Sequence, residues 1–209
     1  SIRRQRQMCI RDSMEDGDLF AEKTEHDADL WFDDVFELFF KPAENFSGYY
    51  EFEFNPDNAQ LDVYFPQRRA GGFHRFKDDF AFDLKTAVQV DGSLNKWTDR
   101  DKGWSIEGRI RWRDFVRAGG RPRVGDKWKF ALCRYDYSVD FDGANLSTTA
   151  PLQRADFHQH EDFSFLRFEG PKGNHPTKPF GISSLPPIRK LKLQGRPGKP
   201  PPVSYTHLT

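Results

Sequence analysis

The sequence has 209 residues and is electroneutral overall, with 32 Lys plus Arg against 32 Asp plus Glu. This length fits about one globular domain with flanking sequence, and no apolar run approaches the roughly 20 residues of a membrane-spanning helix. The balance is uneven, because residues 14–170 carry 21 bases against 31 acids, a net charge of −10. An acidic domain repels the phosphate backbone of nucleic acids, so we do not expect residues 14–170 to bind DNA or RNA.

The two ends of the sequence can be encoded by the two complementary strands of one five-codon DNA sequence. One strand of that DNA sequence encodes Met8–Asp12, Met-Cys-Ile-Arg-Asp, and the complementary strand encodes Val203–His207, Val-Ser-Tyr-Thr-His. We therefore interpret residues 1–13 and 203–209 as translated sequencing-adapter sequence in a fragment of a longer bacterial protein, outside any fold reasoning. This leaves Cys133 as the one native cysteine, and no internal disulfide is expected.

Alternation of apolar and polar residues predicts short β-strands along residues 14–170. In the strand 49–55, Tyr50, Phe52 and Phe54 share one face, while the two glutamates share the other with Asn55. The predicted strands, in chain order, are 35–40, 49–55, 80–84 with a continuation to 90, 104–112, 128–133 and 163–168.

Short strands separated by turn residues, with 15% aromatic residues, favour an all-β fold. We expect a two-sheet antiparallel β-sandwich, jelly-roll-like, over residues 14–170, with one short helix at 112–118. Beyond residue 170 the alternation ends and nine of the 14 prolines follow. Residues 171–202 are therefore predicted to be an extended Pro- and Lys-rich linker.

Trp31 is the first candidate ligand-binding residue. It stands just ahead of a predicted strand and is followed by Asp33, Asp34 and Glu37. Sugars offer apolar CH faces that stack on an indole ring and hydroxyls that need acceptors, so this pattern suits a carbohydrate. The alternative is that Trp31 only caps the core.

Two loops carry candidate metal ligands. Asp99 and Asp101 precede a glycine, and alternate carboxylates of this kind can wrap a calcium ion; the alternative is an ordinary strand-connecting turn. His158 and His160 alternate in a second loop and could ligate a transition metal. The alternative there is a pair of hydrogen-bonded loop histidines.

No motif for catalysis stands out. The sequence has no Gly-x-Ser-x-Gly elbow, no glycine-rich phosphate loop and no His-Glu-x-x-His pattern. Carboxylates such as Glu37, Glu53 and Glu107 could pair in a glycosidase, but solvated strands carry such residues as well. We expect a binding module with no catalytic residues.

Residues 30–39, Leu-Trp-Phe-Asp-Asp-Val-Phe-Glu-Leu-Phe, resemble the Trp-x-x-Asp-x-Val-Glu-x-Phe signature of family 9 carbohydrate-binding modules. Residues 49–56, 103–112, 134–138 and 157–168 are similar to later strands of that family, in the same order. The match is to a family-9-like branch of the DOMON-like superfamily that occurs in large multidomain bacterial proteins. It covers nearly all of residues 14–170.

The resemblance implies a sandwich that holds the end of a glycan between two aromatic rings, without hydrolysing it, and that uses calcium structurally. Such a module targets a larger exported enzyme to a polysaccharide, in the periplasm or outside the cell. The sugar-binding face that the resemblance implies consists of Trp31, Glu37, Glu53, Asn55, Phe157 and His158. Phe157 stands where the family has a second tryptophan, and Glu53 where it has an arginine.

In the family an apolar strand precedes the segment that matches residues 14–20. We therefore expect the first strand to be missing, which leaves a sheet edge unpaired. Two other functions stay open. One is a haem-binding, electron-transfer domain of the same superfamily, with His74, His158 and His160 as candidate axial ligands. The other is a structural spacer that packs on a neighbouring catalytic domain.

Overall fold

The computed structural model describes residues 7–69, 82–169 and 189–190. The strands are β1 (Gln7–Glu15), β2 (Val35–Lys41), β3 (Tyr49–Phe54), β4 (Gln60–Phe65), β5 (Lys85–Asp91), β6 (Gly103–Arg111), β7 (Lys127–Asp136), β8 (Asn145–Thr148), β9 (Ser164–Arg167) and β10 (Arg189–Lys190). Short 3-10 helices span Leu30–Phe32, Trp112–Phe115 and His160–Asp162. None of the helices in the described part of the chain has the length and apolar character that crossing a bilayer requires.

The strands pair in two antiparallel sheets. The smaller sheet has the order β1–β6–β5, and the larger has the order β10–β8–β7–β2–β3–β4, with β9 also paired to β7. The predicted all-β, two-sheet antiparallel sandwich is thereby confirmed. Both cysteines of the chain, Cys9 and Cys133, are free thiols.

The main core lies between the two sheets and is rich in aromatic rings. Its buried strand residues are Met8, Ile10 and Met14 from β1, Phe36, Leu38 and Phe40 from β2, Tyr50, Phe52 and Phe54 from β3, Trp104, Ile106 and Ile110 from β6, and Trp128, Phe130 and Leu132 from β7. Phe115 closes one end, edge-on to Phe40 at 6.0 Å between ring centroids and to Tyr50 at 5.0 Å. Burial of each ring contributes roughly 1.5–3 kcal/mol to the free energy of folding. The packing of this layer therefore holds the two sheets together.

β1 occupies the edge of β6 that we expected to be unpaired. Its residues pair with β6 along their whole length, from Gln7 opposite Arg111 to Glu15 opposite Gly103. No strand is predicted within residues 1–13, because the shared codons identify this segment as adapter sequence. The structure differs because even-numbered residues of this segment, at positions 8, 10 and 14, bring apolar side chains to the core face.

Other differences from the predicted elements are local. β4 and β8 were not predicted, and the expected helix at 112–118 is a single 3-10 turn, Trp112–Phe115. The expected strand 80–84 lies partly outside the described residues, and β5 begins only at Lys85. The amide of Asp83 donates to the carboxylate of Asp114 at 3.0 Å, so this backbone group is satisfied outside the sheet ladder.

A second apolar layer covers the outer face of the larger sheet, the face turned away from the sandwich core. Two loop segments, 20–34 and 149–163, lie over this face. The buried side chains of the layer are Leu30, Val35, Phe39, Tyr49, Ala59, Leu61, Val63, Phe65, Ala131, Cys133, Ala150, Leu152, Phe157 and Phe163. Because β2 is covered on both faces, all of its residues are buried.

Candidate functional site

The carboxylates assigned to the sugar-binding face lie on the outer face of the larger sheet. Register places Glu37 of β2 opposite both Glu53 of β3 and Cys133 of β7. Glu51 and Tyr135 project from the same face, each two residues along its strand. A row of polar side chains therefore crosses three strands beneath the covering loops.

Trp31 stands at the rim of this face, in the 3-10 helix that directly precedes β2. Trp31 is half-buried, and its ring centroid lies 5.8 Å from that of Phe32, which is 55% exposed. The carbonyl of Trp31 accepts a hydrogen bond from the hydroxyl of Tyr137 at 2.8 Å. We call the pair Trp31–Phe32 the aromatic rim; it presents ring surface to solvent beside the covered sheet.

The two aspartates after the rim hold the loop in place. Asp34 accepts the backbone amide of Tyr137 at 2.6 Å and that of Phe20 at 2.7 Å. Asp33 accepts the amide of Lys23 at 2.8 Å. Burial raises the pKa of Asp34 to about 8, and the nearby acids add to the effect. Both aspartates are buried, so they orient the rim and do not meet solvent.

Glu37, Glu51 and Glu53 form a compact buried cluster, here called the glutamate cluster. Each residue is at most 3% exposed, and one carboxylate oxygen from each lies within 4.8 Å of the others. Because burial disfavours the charged form, the pKa of Glu51 rises to about 8, and those of the other two rise well above the ordinary range. Among the described residues, Oε2 of Glu37 and Oε2 of Glu53 have no hydrogen-bond partner.

Phe157 and His158 belong to the segment that covers the glutamate cluster. Phe157 is 5% exposed and lies edge-on to Tyr135 at 5.4 Å. Nδ1 of His158 lies 2.7 Å from the hydroxyl of Tyr49. Burial, with the positive charge of Arg69, lowers the pKa of His158 to about 4. The expected pairing of Phe157 with Trp31 as two open stacking rings therefore differs from the structure, in which the second ring is packed inside.

Asn55 has a structural position. Its side-chain amide donates to the carbonyl of Lys23 at 2.7 Å and to Oδ2 of Asp33 at 2.9 Å, and its carbonyl accepts the amide of Ala59 at 2.9 Å. The residue is 0% exposed. Asn55 thus joins the end of β3 to the loop that carries the aromatic rim through hydrogen bonds within the protein.

Asp99 and Asp101, the acids expected to bind calcium, lie in the loop between β5 and β6. Asp101 accepts the amides of Leu19 and Ser93, each at 2.8 Å. Asp99 accepts the hydroxyl of Ser93 at 2.6 Å and the ammonium of Lys96 at 3.0 Å. Both carboxylates therefore hold loop backbone and side chains in place, and calcium binding by Asp99 and Asp101 stays a prediction.

Three other acidic groups in the described part of the chain are compact enough for a metal ion. They are His26 with Asp27 and Asp62, Asp16 with Asp34 and Asp136, and the glutamate cluster. Neither Asp99 nor Asp101 belongs to any of these groups. Of the candidate haem ligands, His74 lies outside the described residues, and burial lowers the pKa of His160 to about 4, as it does for His158.

Sequence reasoning missed two members of this site. Glu51 was placed on the same strand face as Glu53 but was not recognised as a third acid of a cluster. Phe32, the most exposed ring at the rim, was read only as a neighbour of Trp31. The first could have been found from the spacing Glu-Phe-Glu within one predicted strand; the exposure of Phe32 has no sequence signal.

Comparison with protein-family models and with curated proteins finds no match for this chain. Two solved structures share its fold. One is a candidate carbohydrate-binding protein from Bacteroides uniformis, 18% identical, with a TM-score of 0.56 over 78% of this chain and 74% of that one. The other is a family 9 carbohydrate-binding module from Caldicellulosiruptor kristjanssonii in complex with cellotriose, 14% identical, with a TM-score of 0.51 over 83% and 76%. The sandwich fold implied by the family resemblance is confirmed.

Proposed function

We propose that this chain is a non-catalytic carbohydrate-binding module that recognises a polysaccharide or the end of a glycan. The observation that carries the proposal is the aromatic rim. Phe32 is 55% exposed and Trp31 is half-buried at the rim of the outer face of the larger sheet, in a fold shared with a module whose structure is in complex with cellotriose. A half-buried indole that packs on the second apolar layer, next to an exposed phenyl ring, suits the apolar CH face of a sugar ring.

The proposed contact is made first at the rim and not at the glutamate cluster. Glu37 and Glu53 are each 2% exposed, so a sugar hydroxyl reaches them only if the covering segment 149–163 moves. The rim needs no such movement, since Phe32 is already open and Trp31 is half-open. The fixed loop beneath the rim lowers the entropy cost of binding, because Asp33 and Asp34 already hold the rings in place.

The burial of the glutamates also supports binding without hydrolysis. A retaining glycosidase needs two carboxyl groups about 5–5.5 Å apart on either side of the scissile bond. One oxygen from each glutamate lies within 4.8 Å of the others, and all three side chains are buried under a protein layer, where no glycosidic bond fits between them. We further propose that the module belongs to a larger exported protein, which it directs to a carbohydrate surface.

Glycan-array screening of the purified protein tests this function, with Trp31→Ala as the matched variant. Specific signals that disappear in the variant are the expected result. Trp97→Ala is the control, because Trp97 is 69% exposed but lies in the loop between β5 and β6 of the smaller sheet. Incubation of the bound glycans with the protein should release no shorter products.

A structural spacer is the second candidate, favoured by the closed outer face. Phe157 and both predicted acidic contacts are buried, which is what a domain that only packs on a neighbour would also show. A spacer gives no glycan signal in the screen above. It instead protects the surface around Phe32 from hydrogen exchange or labelling when the neighbouring domain of the same polypeptide is present.

A further inference from the structure

The three glutamates are brought together by strand register. Glu37 and Glu53 are direct partners on β2 and β3, and Glu51 lies two residues along β3 on the same face. Like charges directly opposite on neighbouring strands repel one another, and burial adds the cost of removing them from water. The protein nevertheless keeps all three under the covering segment, each at most 3% exposed.

Protein cations balance this group only in part, because Arg69, which acts on Glu51, is 48% exposed and pairs with Asp156 at 2.8 Å. His158 comes closest among the ion-pair contacts, with Nε2 4.0 Å from Oε1 of Glu51. At 4.0 Å this contact is at the outer limit of an ion pair, and Nδ1 of the same ring lies 2.7 Å from the hydroxyl of Tyr49. Oε2 of Glu37 and Oε2 of Glu53 are buried and have no hydrogen-bond partner among the described residues. Two acceptors of this kind in one cluster point to a ligand that supplies positive charge.

We propose that Glu37, Glu51 and Glu53 bind a hard divalent cation, with calcium as the ion. Calcium takes oxygen ligands at about 2.3–2.6 Å, so two ligands on opposite sides of the ion lie about 4.6–5.2 Å apart. One carboxylate oxygen from each glutamate lies within 4.8 Å of the other two, so a single ion of this size can contact all three. Magnesium usually keeps several water ligands, and side chains that are at most 3% exposed leave little access for water. The charge of a divalent ion and one proton balances the three negative charges of the carboxylates. Binding of the ion does not depend on sugar binding.

A second acidic group provides an internal comparison. Asp16, Asp34 and Asp136 are as compact as the glutamate cluster, but Arg134 fills the role of the cation. Its guanidinium lies 2.7 Å from Asp16 and 3.1 Å from Asp136. Backbone amides satisfy both oxygens of Asp34. We therefore expect no metal at the aspartate group.

Thermal unfolding with and without calcium tests the site. After treatment with EDTA, the protein is measured alone and with Ca²⁺ or Mg²⁺, and the metal content of untreated protein is determined by mass spectrometry. At about 100 times Kd, Ca²⁺ should raise Tm by roughly 5–10 °C in a chain of this size, with a smaller rise in Mg²⁺. Close to one calcium per chain is the expected content.

Glu53→Gln and Glu37→Gln keep the side-chain shape and remove a charged ligand, and each should abolish the Tm rise. Asp136→Asn is the matched control and should keep it. The proposal is overturned if the wild type shows neither bound calcium nor a Tm rise, or if the two glutamine variants retain the full rise. Because no sugar is present, these outcomes are separate from the success or failure of carbohydrate binding.

Discussion

The hydroxyl of Tyr49 and Nδ1 of His158 lie 2.7 Å apart, and this bond fastens the covering segment to β3. Tyr49 is also stacked on Phe65, with 5.2 Å between ring centroids, so its position is fixed from the sheet side. The hydrogen bond therefore stabilises the packing of residues 149–163 over the glutamate cluster.

Tyr49→Phe should loosen that layer without removing the ring. The buried imidazole of His158 loses a partner, which costs about 1–3 kcal/mol. Hydrogen exchange followed by mass spectrometry should then show faster exchange in residues 149–163, while the amides of β6 keep the wild-type rate. Unchanged exchange over residues 149–163 would mean that the hydrogen bond does not stabilise the packing of this segment on the sheet.

The glutamate cluster predicts a stability that declines with rising pH when divalent ions are removed. The pKa of Glu51 is about 8 in the folded protein against an ordinary value of 4.5, so the native state binds more protons between these values. The free energy of unfolding therefore falls as pH rises from about 5 to 8, by up to about 1.4 kcal/mol per pH unit for each such carboxyl. The contribution is fully present below the unfolded pKa and is lost above pH 8.

Urea unfolding in EDTA between pH 5 and pH 9 measures this slope. Glu51→Gln should reduce the slope by up to about 1.4 kcal/mol per pH unit, because the amide does not titrate while Glu37 and Glu53 still do. Glu107→Gln, at an exposed position on β6, should leave the slope unchanged. A wild-type stability that is constant from pH 5 to pH 8 contradicts the buried, protonated state of the cluster.

Asn55→Ala should destabilise the fold by roughly 3 kcal/mol. The substitution leaves Oδ2 of Asp33, the carbonyl of Lys23 and the amide of Ala59 each without the side chain that they contact in the structure, and unsatisfied buried groups cost about 1–3 kcal/mol each. Chemical denaturation gives the value, with the exposed Asn45→Ala as the control. A loss of sugar affinity at unchanged stability would instead make Asn55 a ligand contact.

β1 can be tested by a pair of adjacent substitutions. Ile10 is 8% exposed and packs in the main core, so Ile10→Ala should cost about 2–4 kcal/mol. Arg11 faces solvent, and Arg11→Ala should change stability by no more than about 0.5 kcal/mol. Equal small effects of both substitutions would show that residues 7–13 do not pack as a strand, as adapter-derived sequence would behave.

Alternation within each strand was enough to predict β2, β3, β6 and β7, because each has a face committed to the sandwich core. β8 escaped prediction because Asn145–Thr148 is short and mostly polar, and β1 because residues 1–13 had been set aside. The glutamates were placed on the correct strand face, since a period of two fixes the face. The family resemblance placed Phe157 with these glutamates, but alternation could not predict that Leu152, Phe157 and Phe163 pack over the face as a closed layer, because they lie about 100 residues further along the chain.

The most direct measurement of the central claim is calorimetric titration with cellotriose and with each glycan that the array identifies. We expect saturable binding by the wild type and at least about tenfold weaker binding by Trp31→Ala. The affinity of Trp97→Ala should lie within about twofold of the wild-type affinity. Wild-type affinity in the Trp31→Ala variant, or no binding of any glycan by the folded wild type, would contradict a sugar site at the aromatic rim.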